Sequence, residues 1–271
     1  MQTRLRELTD TARQIRRDIV TMLGESGSGH PGTSLSTVEI VTALYFDVLH
    51  HRPKDPAWAQ RDRFIMSKGH GVPAQYAAMA RAGYFSTDLL KTLRKLGSPL
   101  QGHPVYGATP GIEASTGSLG QGLSIGIGIA LAGRLDKAAY RTYVLLGDGE
   151  CNEGQVWEAA AFAAHHKLDT LTAIVDANGF QLDGRISDIL ELEPLGGKWT
   201  SFGWEVREID GHDLGAVLDA FTWARGTRGK PSLIVARTVK GKGVSFMENN
   251  NQFHGVAPTR EEVAKALAEL A

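Results

Sequence analysis

The sequence has one cysteine, almost no net charge and no long apolar run, and each shortage removes a class of protein. A lone cysteine, Cys151, excludes an internal disulfide. With 29 Lys and Arg against 30 Asp and Glu, the formal charge is −1, which argues against an electrostatic footprint for nucleic acid or an anionic membrane. No apolar stretch approaches the roughly 18 residues of a membrane span. The opening segment MQTRLRELTD is charged and lacks the apolar centre of a secretion signal, so the expected location is the cytoplasm. Internal repeats and low-complexity linkers are absent too. Cys151 sits between Glu150 and Glu153, which disfavour a thiolate, and is expected to be structural.

What remains is the material of a sizeable core. A length of 271 residues with 42% hydrophobic content fits one large α/β domain spanning 1–271. Leu8, Ala12, Ile15, Ile19, Met22 and Leu23 recur at helical spacing, giving an amphipathic helix that stops near Gly24. Further helices are expected over 38–49, 118–135, 153–166 and 214–225, with strands at 64–66, 143–146, 171–175, 205–209 and 232–237. This alternation predicts a doubly wound, mostly parallel sheet with helices on both faces.

The segment from Gly147 to Gly184 carries the chemistry. A buried strand ends at Gly147-Asp148-Gly149, a helix follows, and a second strand is closed by Asn178. A right-handed crossover sets the two carboxyl ends side by side, where open α/β sheets bind ligands. Asp148, Asn178 and a backbone carbonyl in the following loop are hard oxygen donors suited to Mg²⁺ or Ca²⁺. The glycines around Asp148 admit phosphate to backbone N–H groups, and the helix near Glu153 adds a partly positive end. Gly-Asp-Gly alone would read as an ordinary tight turn. The Asn at crossover distance makes it half of a metal–diphosphate site.

Gly27-Ser28-Gly29-His30-Pro31-Gly32 matches the GxGxxG dinucleotide pattern. It follows a helix rather than a strand and carries Pro31 where the phosphate helix should begin, so the Rossmann reading fails. Of nine histidines, His30, His70, His103 and His254 lie beside glycines in loops, where an imidazole can exchange protons with a closely held substrate. Taken singly, each would as readily be a surface or capping residue.

The chain resembles the thiamine-diphosphate enzymes, and among them the transketolase family. The resemblance is carried by SGSGHPGTSLS at 26–36, RDRFIMSKGH at 61–70, GSPLQGHP at 97–104 and EASTGSLGQGLSIGIGIA at 113–130. It continues through GDGECNEGQVWEA at 147–159, VDANGFQLDG at 175–184, GKPSLIVARTVKGKGVSFME at 229–248 and FHG at 253–255. A complete transketolase is more than twice as long. The resemblance therefore implies the N-terminal, diphosphate-binding subunit of a split transketolase, in a heterotetramer with two copies of a chain bearing the pyrimidine-binding and C-terminal domains.

It implies the thiamine-diphosphate-binding fold, with thiamine diphosphate and Mg²⁺ as cofactors, Ca²⁺ or Mn²⁺ being alternatives to Mg²⁺. Asp148, Asn178 and the Phe180 carbonyl would hold the metal. Gly149 would face the diphosphate, Gly117, Ser118, Leu119 and Leu182 would pack on the cofactor, and His70 would lie near its diphosphate and thiazolium. His30, His103 and His254 would serve the sugar's hydroxyls and moving protons. Glu153 would join a carboxylate network near the subunit interface, its simple alternative being a helix N-terminal Glu. His50, His51, His165, His166 and His212 match no such motif and are left as structural or surface residues.

The implied reaction moves a two-carbon ketol unit from a ketose phosphate to an aldose phosphate. Alternatives are a relative acting on another phosphosugar or a biosynthetic ketose, and a non-catalytic paralogue that keeps only the fold. Ala177, Phe180 and Ser118 depart from residues common in the family, without loss of a ligand atom.

Overall fold

The computed structural model describes residues 2–271. Its strands are β1 (Arg63–Met66), β2 (Thr142–Gly147), β3 (Leu171–Ala177), β4 (Glu205–Asp210) and β5 (Ser232–Arg237), in the sheet order β1-β2-β3-β5-β4. Each neighbouring pair is parallel, so every connection must cross a face of the sheet. Both faces are covered, as the alternation of the sequence predicts.

The helices are α1 (Gln2–Ser26), α2 (Pro31–Ser36), α3 (Val38–Ala43), α4 (Val72–Ala82), α5 (Gln121–Leu135), α6 (Gly154–His165), α7 (Ile186–Ile189), α8 (Leu195–Ser201), α9 (Leu214–Gly226) and α10 (Arg260–Glu269). None of them is long and apolar enough to cross a membrane. Strand periodicity divides the core in two. Tyr143, Leu145, Ile174 and Ile234 face a cluster with residues of α1, α3, α4 and α9, including Ile19, Val41, Tyr76 and Phe221. Val144, Leu146, Val175 and Val235 face the other, with Leu123, Val156, Ala160 and Trp199 from α5, α6 and α8. Every residue of β2 and β3 is buried, which is why these strands read as apolar runs without alternation. β1 and β4 are the edge strands, and the exposed Arg207 and Glu208 of β4 suit that place.

Several boundaries differ from expectation. The helix expected over 38–49 is α3 followed by a π-helical turn, Leu44–Val48, closed by Leu49 N–H on Leu44 O. α5 begins at Gln121 rather than 118, because Gly120 holds a left-handed conformation, φ +82°, just before it. A 3₁₀ turn, Gly149–Asn152, intervenes between Asp148 and α6. α4 lies outside the expected helices, since it is buried on nearly all sides and shows little apolar contrast. α10 lies outside them too, although Thr259 and Glu262 form a capping box.

Candidate active site at the carboxyl edge of the sheet

Gly147 pairs with Asp176 in the β2–β3 register, so Asp148 and Asn178 leave the sheet as neighbours. Asp148 is buried, and its two oxygens accept the N–H groups of Gly149 at 2.9 Å and Gly179 at 2.6 Å. The Gly149 N–H, expected to face a phosphate, is thus engaged by Asp148 in this structure. Burial, with Asp176 adding its charge, pushes Asp148 up to about 7.

Asp176 is placed differently. Burial alone would raise it, but Lys68 Nζ at 2.5 Å and donors from Ser36 and Thr238 hold it below the usual carboxylate range. Asn178 Nδ2 donates to Asp176 Oδ2 at 2.8 Å. Because a carboxylate can only accept, this contact fixes the amide orientation and turns Asn178 Oδ1 towards the next loop, where Phe180 N–H meets it at 3.1 Å. The corner therefore holds one carboxylate with a cation of its own and one without.

A cavity of about 380 Å³ opens at this corner, and every residue named from the sequence as a site residue lines it except Ser118, which lies between the lining residues Gly117 and Leu119. His30, His70, His103 and His254 form one cluster. The ring of His30 lies 5.2 Å from His70, 6.2 Å from His103 and 5.7 Å from His254, and His70 stacks on His254 at 5.4 Å. Burial is the main cause lowering the basicity of all four, to about 4 for His30 and His254. His30 and His254 are therefore neutral imidazoles at pH 7, and His30 Nδ1 is buried without a hydrogen-bond partner. Gly117, Leu119, Gly149, Asn178 and Phe180 line the same space, while Leu182, 66% exposed, and Glu153, also exposed, lie on its rim. Glu153 caps α6 without a side-chain hydrogen bond.

The histidines converge because glycines let their loops touch. A Cβ on Gly69 would fall 2.8 Å from Thr116 C and 2.9 Å from Gly117 N, and Gly117, at φ +143°, packs against the His103 ring.

Sequence reasoning passes over several residues here. Lys68 and Lys240 are almost wholly buried although both stand inside the family's motifs. Lys240 donates to Asn251 Oδ1 at 2.6 Å and to His254 Nδ1 at 2.8 Å. An ammonium cannot accept, so His254 carries its proton on Nε2. Glu150 ties three segments together through Ser67 at 2.5 Å, Gly120 N at 2.9 Å and Gly147 N at 3.0 Å. The signal for Lys68 is its place just after β1, at the same sheet edge as Asp148. Cys151 is buried with its thiol pushed up by burial, as a structural residue should be. The Gly27–Gly32 segment follows α1, and Pro31 opens α2, so no strand precedes the GxGxxG pattern.

Comparison with known proteins decides the family. Residues 6–271 match the family described as transketolase, thiamine diphosphate binding domain. The chain belongs to the transketolase family. It is 46% identical over 264 residues to the 6-deoxy-6-sulfo-D-fructose transketolase subunit SqwG of Clostridium sp. (strain MSTE9), spanning 97% of this chain and 96% of that one. An apulose-4-phosphate transketolase subunit of Actinobacillus succinogenes is 46% identical over 265 residues, with the same coverage of 97% and 96%. The transketolase of Leishmania mexicana superposes with a TM-score of 0.92 at 34% identity, covering 97% of this chain but 41% of that one. The chain thus corresponds to the N-terminal subunit of split transketolases and spans about two fifths of the solved transketolases it matches.

Proposed function

We propose that this transketolase-type subunit binds thiamine diphosphate with Mg²⁺ and transfers a two-carbon ketol unit between sugars once a second polypeptide completes the site. The observation that carries this reading is the unequal pair of buried carboxylates. Asp176 has Lys68, whereas Asp148 has none and is pushed up to about 7, so the corner is short of one cation. Among the described residues no three His, Cys, Asp or Glu side chains meet as a metal cage. A divalent ion here needs further oxygen donors, which a diphosphate supplies. Asp148, Asn178 and the Phe180 carbonyl would hold the ion, with Ca²⁺ or Mn²⁺ as substitutes, and Lys240 would face the diphosphate's negative charge.

When bound, thiamine diphosphate would supply a carbon able to hold the electron pair released as the ketose C2–C3 bond breaks. This chain's own part is positioning and proton traffic. His70 lies deepest, largely desolvated, where it can hydrogen-bond the cofactor. His30, His103 and His254 surround the remaining space: His30, being neutral, can take a proton from a sugar hydroxyl and return it, whereas His254, whose Nδ1 accepts from Lys240, can offer its Nε2–H to a sugar oxygen. Leu119 and Leu182 offer apolar contact. Glu153 on the rim would meet a second copy of the active unit. The substrates would be a ketose and an aldose carrying an anionic group, since similar subunits are named for a sulfo sugar and a sugar phosphate.

By the family resemblance, the groups that activate the cofactor's pyrimidine ring lie in a separate chain, two copies of which would pair with two of this one in the cytoplasm. The test is to purify this chain and assay ketol transfer with thiamine diphosphate, Mg²⁺ and several ketose–aldose pairs, before and after adding a chain with those domains. Turnover is expected only from the mixture. Robust turnover by this chain alone would contradict the split arrangement, and none from the mixture with any sugar pair would contradict the transfer reaction.

A further inference from the structure

His212, which matches no motif of the site and lies on the far side of residues 238–242, is bonded at both ring nitrogens. Its Nδ1 is 2.9 Å from Glu39 Oε2, and the Val239 N–H reaches its Nε2 at 2.8 Å. A backbone N–H can only donate, so Nε2 presents its lone pair and Nδ1 holds the proton given to Glu39. Glu39 is in turn gripped by Arg16 Nη2 at 2.7 and 2.8 Å, and Arg16 Nε donates to Lys242 O at 3.0 Å. Although burial would raise Glu39, His212 and Arg16 hold it below the usual carboxylate range.

The ring reaches this place because residue 211 is glycine: a Cβ there would fall 2.5 Å from Thr238 Cγ2. His212 borders two open surface grooves, so it fills no core space. What it holds is the Val239 N–H, one residue before Lys240. The Lys240 side chain passes over Gly32, where a Cβ would lie 3.0 Å from Lys240 Cγ, and ends on Asn251 and His254.

We propose that His212 is a positioning residue: with Glu39 and Arg16 behind it, it anchors the Val239 N–H and so sets Lys240 against His254 inside the cavity. Its consequence for cofactor affinity rests on the thiamine-diphosphate reading above, whereas the anchoring does not.

Two substitutions separate the ring's two contacts. In His212→Gln the Oε1 atom replaces the acceptor facing Val239, and in His212→Asn the Nδ2 group replaces the donor facing Glu39. Hydrogen–deuterium exchange of the full chain without cofactor should show Val239 protected in the wild type. Protection should be largely kept in His212→Gln and reduced about ten-fold in His212→Asn, the scale of one lost hydrogen bond. Ring ¹⁵N spectra should show the His254 Nδ1 signal shifted in His212→Asn alone. Thiamine diphosphate titrated into the reconstituted complex should bind about ten-fold more weakly to His212→Asn, with His212→Gln near wild type. Equal exchange at Val239 in all three proteins, or an unmoved His254 signal in His212→Asn, would overturn the proposal, even if both variants melted earlier. A wild type that shows the exchange and His254 signatures but binds no thiamine diphosphate would support the anchor and refute the function proposed above.

Discussion

Lys68 Nζ lies 2.5 Å from Asp176 Oδ2, and neither side chain has appreciable contact with solvent. The pair stands directly behind Asn178, which donates to the same Asp176 oxygen. The orientation of the proposed metal-binding amide thus depends on a buried ion pair. Replacing Lys68 by Met keeps the stem and strips the charge, leaving Asp176 ionised in a dry interior. Stability should fall by about 3–5 kcal/mol. Urea unfolding measures this, and the double variant Lys68→Met, Asp176→Asn should recover part of the loss. A single variant as stable as the wild type would show that other donors suffice for Asp176.

The histidine cluster predicts a sensitivity to mild acid. His30 and His254 titrate near 4 in the fold, mainly through burial, against an ordinary value of 6.5. Above pH 6.5 neither the folded nor the unfolded chain holds these protons. As pH falls from 6.5 towards 4 the unfolded chain takes them up first, so the stability these groups leave intact at neutral pH is lost across that window. Melting temperatures from pH 7.5 to 5 should drop less steeply in His254→Asn and in His30→Gln than in the wild type. Parallel slopes would contradict the depressed values.

His103 lies against Gly117, without a hydrogen bond to the Asp148–Asn178 corner, and the proposed function assigns it to the sugar. His103→Ala should lower turnover of the reconstituted enzyme by about 10²–10⁴, the scale of a proton-transfer group, and leave thiamine diphosphate affinity within a few-fold. Steady-state kinetics set beside calorimetry make the distinction. Unchanged turnover with weakened cofactor binding would move His103 to the cofactor's side.

Gly69 is a packing requirement for the site. A methyl group there would press into Thr116 and the Gly117 N–H, backbone of the loop that packs on Gly69 beside His70. Gly69→Ala should cost about 1–3 kcal/mol as overpacking and separate His70 from Gly117. Chemical denaturation tests the first effect, and the His70 ring signals test the second. A variant of wild-type stability would mean the two loops part freely.

The sheet is legible in the sequence because β2 and β3 are short apolar runs ended by glycine or Asx residues, and the helices between them keep a 3.6-residue period. Asp148 and Asn178 are legible for the same reason: each stands immediately beyond a strand end. The histidines can be named as a group only through their motifs, since His30, His70, His103 and His254 come from four distant loops that glycine contacts bring together. Lys68 and Lys240 escape notice because lysine is ordinarily a surface residue, and only the fold shows Asp176, Asn251 and His254 waiting for their charges. His212 escapes for a related reason. Its partners, Glu39 and Val239, are 173 and 27 residues away, and no spacing rule reaches that far.

The most direct measurement is calorimetric titration of thiamine diphosphate into the reconstituted complex, with Mg²⁺ and again after chelation, for wild type and Asp148→Ala. If Asp148 is a buried carboxylate awaiting a divalent ion beside a diphosphate, wild type should bind tightly only with Mg²⁺. Asp148→Ala should then bind weakly and almost equally in both conditions. Equal wild-type affinity with and without Mg²⁺, or an unchanged affinity in Asp148→Ala, would contradict the account.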